Sequence, residues 1–472
     1  MLLNEDIHKV DELKTNFTHR WFEVKNMLEL IDIFKFSSLL GNFSFFKKQG
    51  FSFQYVISAL LLLPFLGASN VNEVSPNCFE AKKDVFYRLK NNPLIDWRSI
   101  LWLFVIKFIA IEKAKASDDS SPKCLIIDDS FLAKSGKYIE KISKMWDHVS
   151  KKYLLGFKVN LLGYWDGKTF LPIDFAIHRE KGKNEKKPYG LTLKEFKKQT
   201  KKNRTKDMAS FEREKEADKS KIKTGLAMFK RAIKKGISID YLLMDSWFTC
   251  NEFINAVRAV KTQTIHLIGM YKIATTKFIF KEQEYTIAQL RNKLGKSKRN
   301  RKTGYYYLEA IVLLDGKEIK LFFSRKGRRG KWKTILSTNT NLSFQAMLKI
   351  YAIRWTIEVF FKESKQLLGL GKEQANDFDA QIAAVTLVMM QHILISIRHR
   401  FDNYESKGEI FRQNMGEVFR KRLSDRLWGL LIALINIIAE LFEECDEEEL
   451  IEKMFYDEKI KRKIEYFIKY AA

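Results

Sequence analysis

Residues 153–177 read YLLGFKVNLLGYWDGKTFLPIDFAI, and they set the class of the fold. Two runs rich in strand-forming residues flank Asp166-Gly167, a dipeptide that favours a tight hairpin turn. A third apolar run precedes them, within CLIIDDS at residues 124–130. The chain therefore predicts three consecutive strands at the start of a sheet.

The segments after the hairpin alternate between helix and strand patterns. They predict a charged helix, a short strand, a second helix and a fifth strand, at residues 206–235, 239–244, 251–260 and 264–270. Three strands, helix, strand, helix, strand is the α/β order of an RNase H-like mixed sheet up to its last helix. The pattern thus predicts an RNase H-like core.

A second β-rich segment interrupts this core. Residues 273–335 alternate short strands with basic loops, and Asp315-Gly316 marks a hairpin turn within them. The last core helix is expected only afterwards, at residues 343–368, with Ser343 as its N-cap. We therefore expect a β-rich insertion between the fifth strand and the last helix.

Helical patterns flank the core on both sides. Residues 1–115 predict a helical N-terminal module, and a polar stretch at 113–123 is typical of a linker. In chain order, we expect a helical module at 1–115, a first core segment at 120–272, the β-rich insertion at 273–335, a second core segment at 336–400, and a helical tail at 401–472.

The charge balance points to a polyanionic partner. The chain has 472 residues and a formal net charge of +27, a surplus that favours nucleic acid or an anionic membrane surface. The apolar stretches at 59–68 and 430–439 are shorter than the roughly 20 residues that span a bilayer. Four scattered cysteines argue against a disulfide framework or a zinc ribbon, and no secretory signal pattern is seen. We therefore expect a cytoplasmic protein that binds nucleic acid.

Two aspartates follow apolar runs of the predicted sheet. Asp128 comes after residues 124–127, and Asp245 comes after residues 239–244. Because sites in open α/β sheets form beyond the carboxyl ends of strands, these carboxylates could converge. An aspartate in this position is also a common turn former or helix N-cap, so each one alone leaves both interpretations open. Asp129 is an alternative to Asp128.

One face of the last predicted helix carries polar residues. Tyr351, Arg354, Glu358 and Lys365 are spaced by 3, 4 and 7 positions, which places all four on one face. They could form a solvated face with an Arg354–Glu358 ion pair. The remaining faces are apolar, which favours a helix buried on more than one side and a functional polar stripe; they carry Trp355, Val359, Phe360, Phe361, Leu367 and Leu368.

Three carboxylates in a basic protein have a defined chemical use. Carboxylate oxygens are ligands for Mg²⁺ or Mn²⁺, and two such ions can activate a water or a 3′-hydroxyl and stabilise the leaving oxygen of a phosphodiester. This chemistry needs no side-chain nucleophile. Asp128, Asp245 and Glu358 are therefore candidate metal ligands and catalytic residues.

The sequence resembles the DDE transposases of bacterial insertion sequences that carry a Y-x2-R-x3-E-x6-K signature. Here the signature reads Tyr351-x2-Arg354-x3-Glu358-x6-Lys365 within IYAIRWTIEVFFKESKQLLGL. LIIDDS and LLMDSWF resemble the family's two aspartate blocks, and the resemblance covers roughly residues 120–400. The family pattern D-x-[ST] selects Asp128, with Ser130, over Asp129.

The resemblance implies a cut-and-paste transposase that nicks the ends of its element and joins the freed 3′-hydroxyls to target DNA. It implies two Mg²⁺ ions, with Mn²⁺ as an alternative, on the carboxylates Asp128, Asp245 and Glu358. It assigns the DNA end to Tyr351, Arg354 and Lys365. Its partners would be double-stranded DNA, as terminal inverted repeats and target, and a second copy of the chain. Residues 1–115 would then be a DNA-binding module, and the tail at 401–472 a candidate dimerisation surface. No membrane is implied, and the place of action would be the nucleoid of a bacterial cytoplasm.

Three segments concentrate basic residues. Residues 291–302 hold seven Lys or Arg and no acid, 325–333 hold six, and 179–206 hold twelve against three acids. Such loops are often merely solvated, but their position beside the carboxylate segments favours phosphate contact and salt-dependent binding. Trp332 is a candidate to stack on an unpaired base, because family members use an aromatic of the insertion near a flipped nucleotide; it could equally pack under the insertion.

Two other functions stay open from the sequence. A non-catalytic DNA-binding derivative of such an enzyme would keep the basic surface, although it would not need three acids amid bound phosphates. A metal-dependent nuclease without strand transfer could use the same core.

Overall fold

The computed structural model describes residues 50–66, 71–73, 81–115, 121–147, 150–272, 275–401 and 407. The chain divides into two compact units, one of residues 90–400 and one of residues 1–89 with 401–472. The first 49 residues of the expected N-terminal module and nearly all of the expected tail lie outside the described residues. In the smaller unit, helix α1 (Phe53–Leu62) begins where the Ser52 hydroxyl accepts a hydrogen bond from the Tyr55 amide at 3.1 Å. Helix α2 (Lys83–Lys90) ends at the boundary between the units.

The larger unit contains the sheet. Its helices are α3 (Trp97–Lys115), α4 (Leu193–Lys197), α5 (Ser210–Glu216), α6 (Lys221–Lys234), α7 (Asn251–Arg258), α8 (Ile287–Lys293), α9 (Phe344–Ala352), α10 (Trp355–Leu367) and α11 (Phe378–Phe401). Its strands are β1 (Cys124–Ala133), β2 (Ser143–Asp147), β3 (Lys152–Trp165), β4 (Phe170–His178), β5 (Tyr241–Met244), β6 (His266–Tyr271), β7 (Lys277–Phe280), β8 (Gln283–Thr286), β9 (Lys298–Arg299), β10 (Tyr305–Leu314), β11 (Lys317–Lys326) and β12 (Lys333–Ser337). All of these strands join one mixed sheet.

The centre of the sheet has the order β4-β3-β1-β5-β6. β1 pairs antiparallel with β3 and parallel with β5, β5 pairs parallel with β6, and β4 pairs antiparallel with β3. The predicted hairpin is confirmed, since the Asp166 carboxylate accepts hydrogen bonds from the amides of Lys168 and Thr169 and Gly167 has a φ of 111°. Because β1 and β5 run parallel, their carboxyl ends meet at one edge of the sheet.

Two features of this half differ from the prediction. β2, a short strand paired with the first residues of β3, was not expected. The single helix predicted at residues 206–235 is wrong, because the structure has α5 and α6 instead. Ser220 causes the break: its backbone is extended and its hydroxyl accepts a hydrogen bond from the Lys223 amide, so it caps a new helix.

The insertion extends the core sheet. β12 pairs antiparallel with β6, and β11, β10, β7 and β8 follow outward. The strands expected around Asp315-Gly316 are present as β10 and β11, and both turn residues have positive φ, as a two-residue hairpin requires. The insertion is therefore continuous with β6, the last core strand before it.

The predicted helix at residues 343–368 is also wrong as a single element. Ser343 caps α9 as expected, with its hydroxyl accepting from the Ala346 amide at 3.2 Å. Between α9 and α10 the hydrogen bonds tighten to the i→i+3 pattern, from the Arg354 amide to the Tyr351 carbonyl and from the Ile357 amide to the Arg354 carbonyl. No proline or glycine marks this break in the sequence.

A buried ion cluster ties α3, β4, α5 and α6 together. Asp174 of β4 accepts hydrogen bonds from Arg98 at 2.9 Å and Arg231 at 2.8 Å. Glu216 accepts from Arg98 at 2.8 Å and from Arg213 at 3.3 Å. This anchoring places α3 in the larger unit, whose boundary at residue 90 precedes the expected end of the N-terminal module at residue 115.

Helix α11 is the longest apolar segment that the structure describes. Residues 378–397 are long and apolar enough to cross a membrane by length and composition, a stretch that the sequence expectations omitted. Its window is 94% buried inside the protein. The Gln381 amide donates to the Ala375 carbonyl and the Thr386 hydroxyl donates to the Ile382 carbonyl, so these two polar side chains bond within the fold. We therefore interpret α11 as a core helix.

Candidate active site

Asp245 lies where the sequence predicted it, directly after β5. Its carboxylate accepts hydrogen bonds from the Trp247 amide at 2.9 Å and from the Phe248 amide at 3.2 Å. The Thr249 hydroxyl donates to its carbonyl oxygen at 2.7 Å. This turn holds the carboxylate at the edge of the sheet.

Asp128 lies inside β1, so the expectation that its strand ends there is wrong. β1 continues to Ala133 because β3 pairs with it along its whole length, with Asp128 opposite Leu161. The parallel pairing with β5, however, stops at Ile127 and Met244. Asp128 thus stands one residue beyond the β1–β5 pair, as Asp245 does on the neighbouring strand.

The Asp128 carboxyl lies close enough to Asp245 for the two charges to interact. Burial raises the pKa of the Asp128 carboxyl, and the nearby Asp245 carboxylate raises it further, to about 7. Arg354 acts in the opposite direction. A shift of this size, caused by burial and a like charge, is typical of a functional carboxylate pair.

Arg354 connects Asp128 to the third predicted carboxylate. Its Nη1 donates to Asp128 Oδ2 at 2.9 Å, and its Nη2 donates to Glu358 Oε1. The Arg354–Glu358 ion pair expected of a solvated face is present, but it faces β1 instead of open solvent. One guanidinium therefore bridges two carboxylates from distant parts of the chain.

The other two residues of the stripe contact the same edge. The Tyr351 hydroxyl donates to the Met244 carbonyl at 3.2 Å, and burial raises the pKa of Tyr351 to about 12. Lys365 donates to the Ser130 hydroxyl at 2.8 Å and to the Phe131 carbonyl at 2.9 Å. Burial lowers the pKa of Lys365. The polar stripe thus packs on the ends of β1 and β5.

The opposite face of α10 is open, which corrects the expected burial of its apolar residues. Ile357, Phe360 and Phe361 are buried, but Trp355 is 61% exposed and Val359 is 38% exposed. α10 is therefore only partly buried: the side that faces the sheet and α11 is covered, and the opposite side is exposed.

Asp129 makes a different contact from its neighbour. Its Oδ2 forms an ion pair with Lys221 Nζ at 2.7 Å, whereas Asp128 is bound by Arg354. Adjacent residues of a strand point to opposite faces, which explains the separate partners. Of these two aspartates, Asp128 is linked to Glu358, through Arg354.

The donor set suits a hard divalent cation, but it is not gathered into a cluster. Within the described ranges, no group of three or more His, Cys, Asp or Glu side chains could hold a metal ion as placed. Asp128 and Asp245 are crowded enough to raise a pKa, while Glu358 is bound to Arg354. By their chemistry, the carboxylate oxygens fit Mg²⁺ or Mn²⁺, although the three carboxylates do not converge on one point.

A cleft of about 1080 Å³ opens beside this edge. Asp245, Trp247 and the β1 residues after Asp128 line it, together with lysines from several elements: Lys158, Lys221, Lys272, Lys365 and Lys372. Trp247 is 55% exposed. Sequence reasoning missed Trp247, although its position two residues after Asp245 in LLMDSWF could have drawn attention to it.

Arginines and aromatic rings alternate on the insertion. The Arg325 guanidinium lies 4.6 Å from the centre of the Trp332 ring and 5.6 Å from that of Tyr306. Arg291 lies 6.0 Å from Trp332 and Arg299 lies 5.9 Å from Tyr306. Trp332 is half-buried and Arg325 lies over its ring. We call these five residues the arginine ladder.

The basic run at residues 179–206 is partly structural. Arg204 is fully buried and binds Glu140 at 2.8 Å and Asp379 at 3.0 Å. Arg179 binds Asp218 at 2.6 Å. These arginines anchor the segment to the core, so its twelve basic residues do not form one free surface.

A family model described as "DDE superfamily endonuclease" matches residues 61–271. Over that stretch, this chain is similar to DDE endonucleases. The match includes both aspartates and ends before Glu358. No curated protein matches the chain. The match supports an enzyme that acts on DNA, and the geometry adds Glu358 to the aspartates from outside the matched range.

Proposed function

We propose that the protein is a DNA transposase of the DDE type with the Y-x2-R-x3-E-x6-K signature. One observation carries the proposal: the signature helix lies against the sheet edge where Asp128 and Asp245 meet, and Arg354 links Asp128 to Glu358. Packing alone does not explain an acid at this position of α10, because an apolar contact would stabilise the fold at least as much as a partly buried ion pair.

The strand order supports an RNase H-like core. In chain order, β1, β3, β4, α6, β5, α7 and β6 follow the strands and helices expected from the sequence, with β2, α4 and α5 as additions. Within the sheet, β1 pairs antiparallel with β3 and parallel with β5. The insertion between β6 and α9 agrees with the interruption expected there. Both features support the assignment of Asp128, Asp245 and Glu358 to a single catalytic edge.

Asp128, Asp245 and Glu358 would hold two Mg²⁺ or Mn²⁺ ions. When bound, such ions activate a water or a 3′-hydroxyl and stabilise the leaving oxygen of a phosphodiester. The chain itself orients the donors: the turn amides fix Asp245, and β3 fixes Asp128 within the sheet. Arg354 neutralises part of the negative charge at the edge.

The cationic residues around the edge would bind the DNA end. Arg354 can hold a phosphate through two parallel hydrogen bonds, whereas Lys365 supplies a point charge beside β1. The Tyr351 hydroxyl lies on the same edge. The arginine ladder would contact the backbone of double-stranded DNA farther along the sheet, because its arginines are positively charged. The aromatic rings of Tyr306 and Trp332 hold the Arg325 guanidinium in place.

The remaining features of the proposal follow from the family. The substrates would be the terminal inverted repeats of the element and the target DNA, and the active form would be a homodimer on two paired ends. The reaction would take place at the bacterial nucleoid.

The test uses the full-length protein, Mg²⁺ and labelled DNA that carries the inverted repeats flanking the gene. Cleavage that leaves a 3′-hydroxyl, followed by joining to target DNA, is the expected result. Nicking without joining would identify a nuclease without strand transfer. Binding without any 3′-hydroxyl product would contradict the catalytic assignment and favour a DNA-binding derivative. A reaction with EDTA is the control.

A further inference from the structure

Trp247 is a large aromatic side chain left open beside the catalytic edge. It is 55% exposed, and it lies two residues after Asp245. Its own amide binds the Asp245 carboxylate at 2.9 Å, so the backbone of Trp247 is held beside that carboxylate. A tryptophan this exposed at such a position suggests a ligand, because packing alone would favour burial of the ring.

Cations surround the indole. The ammonium groups of Lys221 and Lys272 each lie 4.6 Å from the centre of the Trp247 ring. Lys221 comes from the start of α6 and Lys272 follows β6, so two separate elements bring positive charge to this ring. A ring beside cations can accept the flat face of a base while the exposed Lys272 moves to a phosphate of the same nucleotide.

The cleft around Trp247 has room for such a ligand. Its volume of about 1080 Å³ is of the size of pockets that enclose small organic molecules. Asp129, Asp147 and Glu180 also line it, so the cleft is not a uniformly positive groove for a duplex backbone. Lys221 is already paired with Asp129, and Lys158 is paired with Glu180. The surface is mixed in charge and carries three aromatic side chains, Phe131, Trp146 and Trp247, of which Trp247 is the exposed one.

We propose that Trp247 is the stacking platform for an unpaired nucleotide of the DNA end, which it holds next to Asp245. The bases of a duplex cover each other's faces, so only a terminal, extruded or single-stranded base can lie on this ring. The platform rests on the proposed function insofar as the nucleotide belongs to the DNA that Asp245 acts on. This proposal gives Trp247, in the cleft, the stacking role for which the sequence offered Trp332 as a candidate.

The two tryptophans differ in their availability. The ring of Trp332 is half-buried and lies under the Arg325 guanidinium, with Arg291 farther along the same ladder. The ring of Trp247 is flanked by Lys221, which Asp129 holds, and by Lys272, an exposed side chain that can leave the ring for a phosphate. Trp332 therefore organises the arginine ladder, and Trp247 receives the base.

The test measures binding of the full-length protein in EDTA, so that catalysis plays no role. One probe is a blunt duplex, and the other is the same duplex with a short single-stranded thymidine overhang. The wild type should prefer the overhang, and Trp247→Ala should weaken binding of the overhang at least about fivefold while leaving the blunt duplex unchanged. Trp247→Phe should retain most of the preference, because it keeps an aromatic face.

Two further variants separate this platform from other effects. Trp332→Ala should weaken binding of both probes alike, because it disturbs the ladder. Tyr138→Ala removes another exposed aromatic side chain, outside the cleft, and should change neither. A 2-aminopurine in the overhang should be quenched by the wild type but not by Trp247→Ala, provided that the variant unfolds at the temperature of the wild type.

The outcomes distinguish the platform from the proposed function. A wild type without preference for the overhang, or a Trp247→Ala variant that keeps both the preference and the quenching, would overturn the platform even if the protein cleaves DNA. Loss of the preference in Trp332→Ala alone would move the platform to the insertion. Absence of cleavage in Mg²⁺, with the preference for the overhang intact, would overturn the proposed function and leave the platform standing.

Discussion

Two of the clusters of carboxylates and arginines in the larger unit behave in opposite ways. At the proposed catalytic edge, Asp128 has a pKa raised to about 7, by burial and by Asp245. In the cluster on β4, burial alone would raise the pKa of Asp174, but the surrounding arginines hold it below its ordinary value. Both aspartates accept hydrogen bonds from arginine, so the presence of an ion pair does not distinguish them.

The ratio of cations to acids does distinguish them. Among the described residues, one arginine, Arg354, binds the edge that contains Asp128, Asp245 and Glu358. In the β4 cluster, three arginines surround Asp174 and Glu216, and Asp174 is only 1% exposed. In the β4 cluster, the excess of buried arginines keeps the carboxylates charged and paired. At the edge, the deficit of arginines leaves negative charge that a further cation could neutralise. The surplus of carboxylates over arginines at this edge is what distinguishes it from the cluster on β4.

The largest expected effect concerns Asp245→Asn. Because this change removes one member of the proposed catalytic unit, cleavage of labelled DNA in Mg²⁺ should fall by about 10⁴-fold or more. The thermal unfolding temperature should change little, since the amide oxygen can still accept from the turn amides. Cleavage at the wild-type rate would place Asp245 with the structural carboxylates.

The reverse result is expected on β4. Asp174→Asn leaves three arginines with a single carboxylate, and removing one partner of a buried pair costs about 3–5 kcal/mol of folding free energy. Urea unfolding of the variant and of Asp245→Asn measures the contrast. If both variants were equally stable, the proposed difference between the clusters would be wrong.

The free energy of unfolding should also fall in mild acid, because of His178 at the end of β4. Burial lowers the pKa of its imidazole to about 4, although Glu216 partly offsets the shift. An unfolded histidine titrates near about 6.5, so the unfolded state binds the proton first as the pH falls. Stability is therefore complete above about pH 6.5 and is lost progressively down to about pH 4, by up to about 3 kcal/mol.

His178→Asn provides the comparison for this pH dependence. Its amide can replace the bond of the imidazole Nδ1 to the Lys219 carbonyl without titrating, whereas the bond of Nε2 to the Thr224 hydroxyl is lost at every pH. The urea midpoint of the variant should fall less steeply than that of the wild type across this pH window. Equal slopes would show that His178 is not the titrating group.

The smallest expected effect lies on the arginine ladder. Arg325→Ala should reduce the slope of log affinity against log salt by about one unit, because one phosphate contact is lost. Lys277→Ala is the matched control from the same insertion, since Lys277 is paired with Glu284 at 2.7 Å. Affinity titrations with duplex DNA at several salt concentrations measure both, and identical slopes for the two variants would remove the ladder from the DNA surface.

The central sheet and the position of Asp245 were predictable because they depend on local patterns. An apolar run that ends in aspartate and a hairpin at Asp166-Gly167 each act within a few residues. Asp128 was placed at a strand end because its apolar run stops there. The strand continues because β3, a distant partner, supplies hydrogen bonds as far as Ala133.

The polar stripe was predictable from spacing, but its partners were not. Spacing places Arg354 and Glu358 on one face, whereas the bond from Arg354 to Asp128 depends on tertiary packing. The break between α9 and α10 has no proline or glycine to announce it. Exposure of Trp247 and Trp355 also depends on what packs nearby, which a single sequence does not contain.

The most direct test of the catalytic edge compares Glu358→Gln with Glu284→Gln, an exposed acid of the insertion. Cleavage and binding of labelled end DNA are measured on the same preparations. Glu358→Gln should abolish cleavage while it keeps or increases affinity, because a negative charge near the phosphate is gone, and Glu284→Gln should cleave like the wild type. Wild-type cleavage by Glu358→Gln would contradict the assignment of Asp128, Asp245 and Glu358 to one active site.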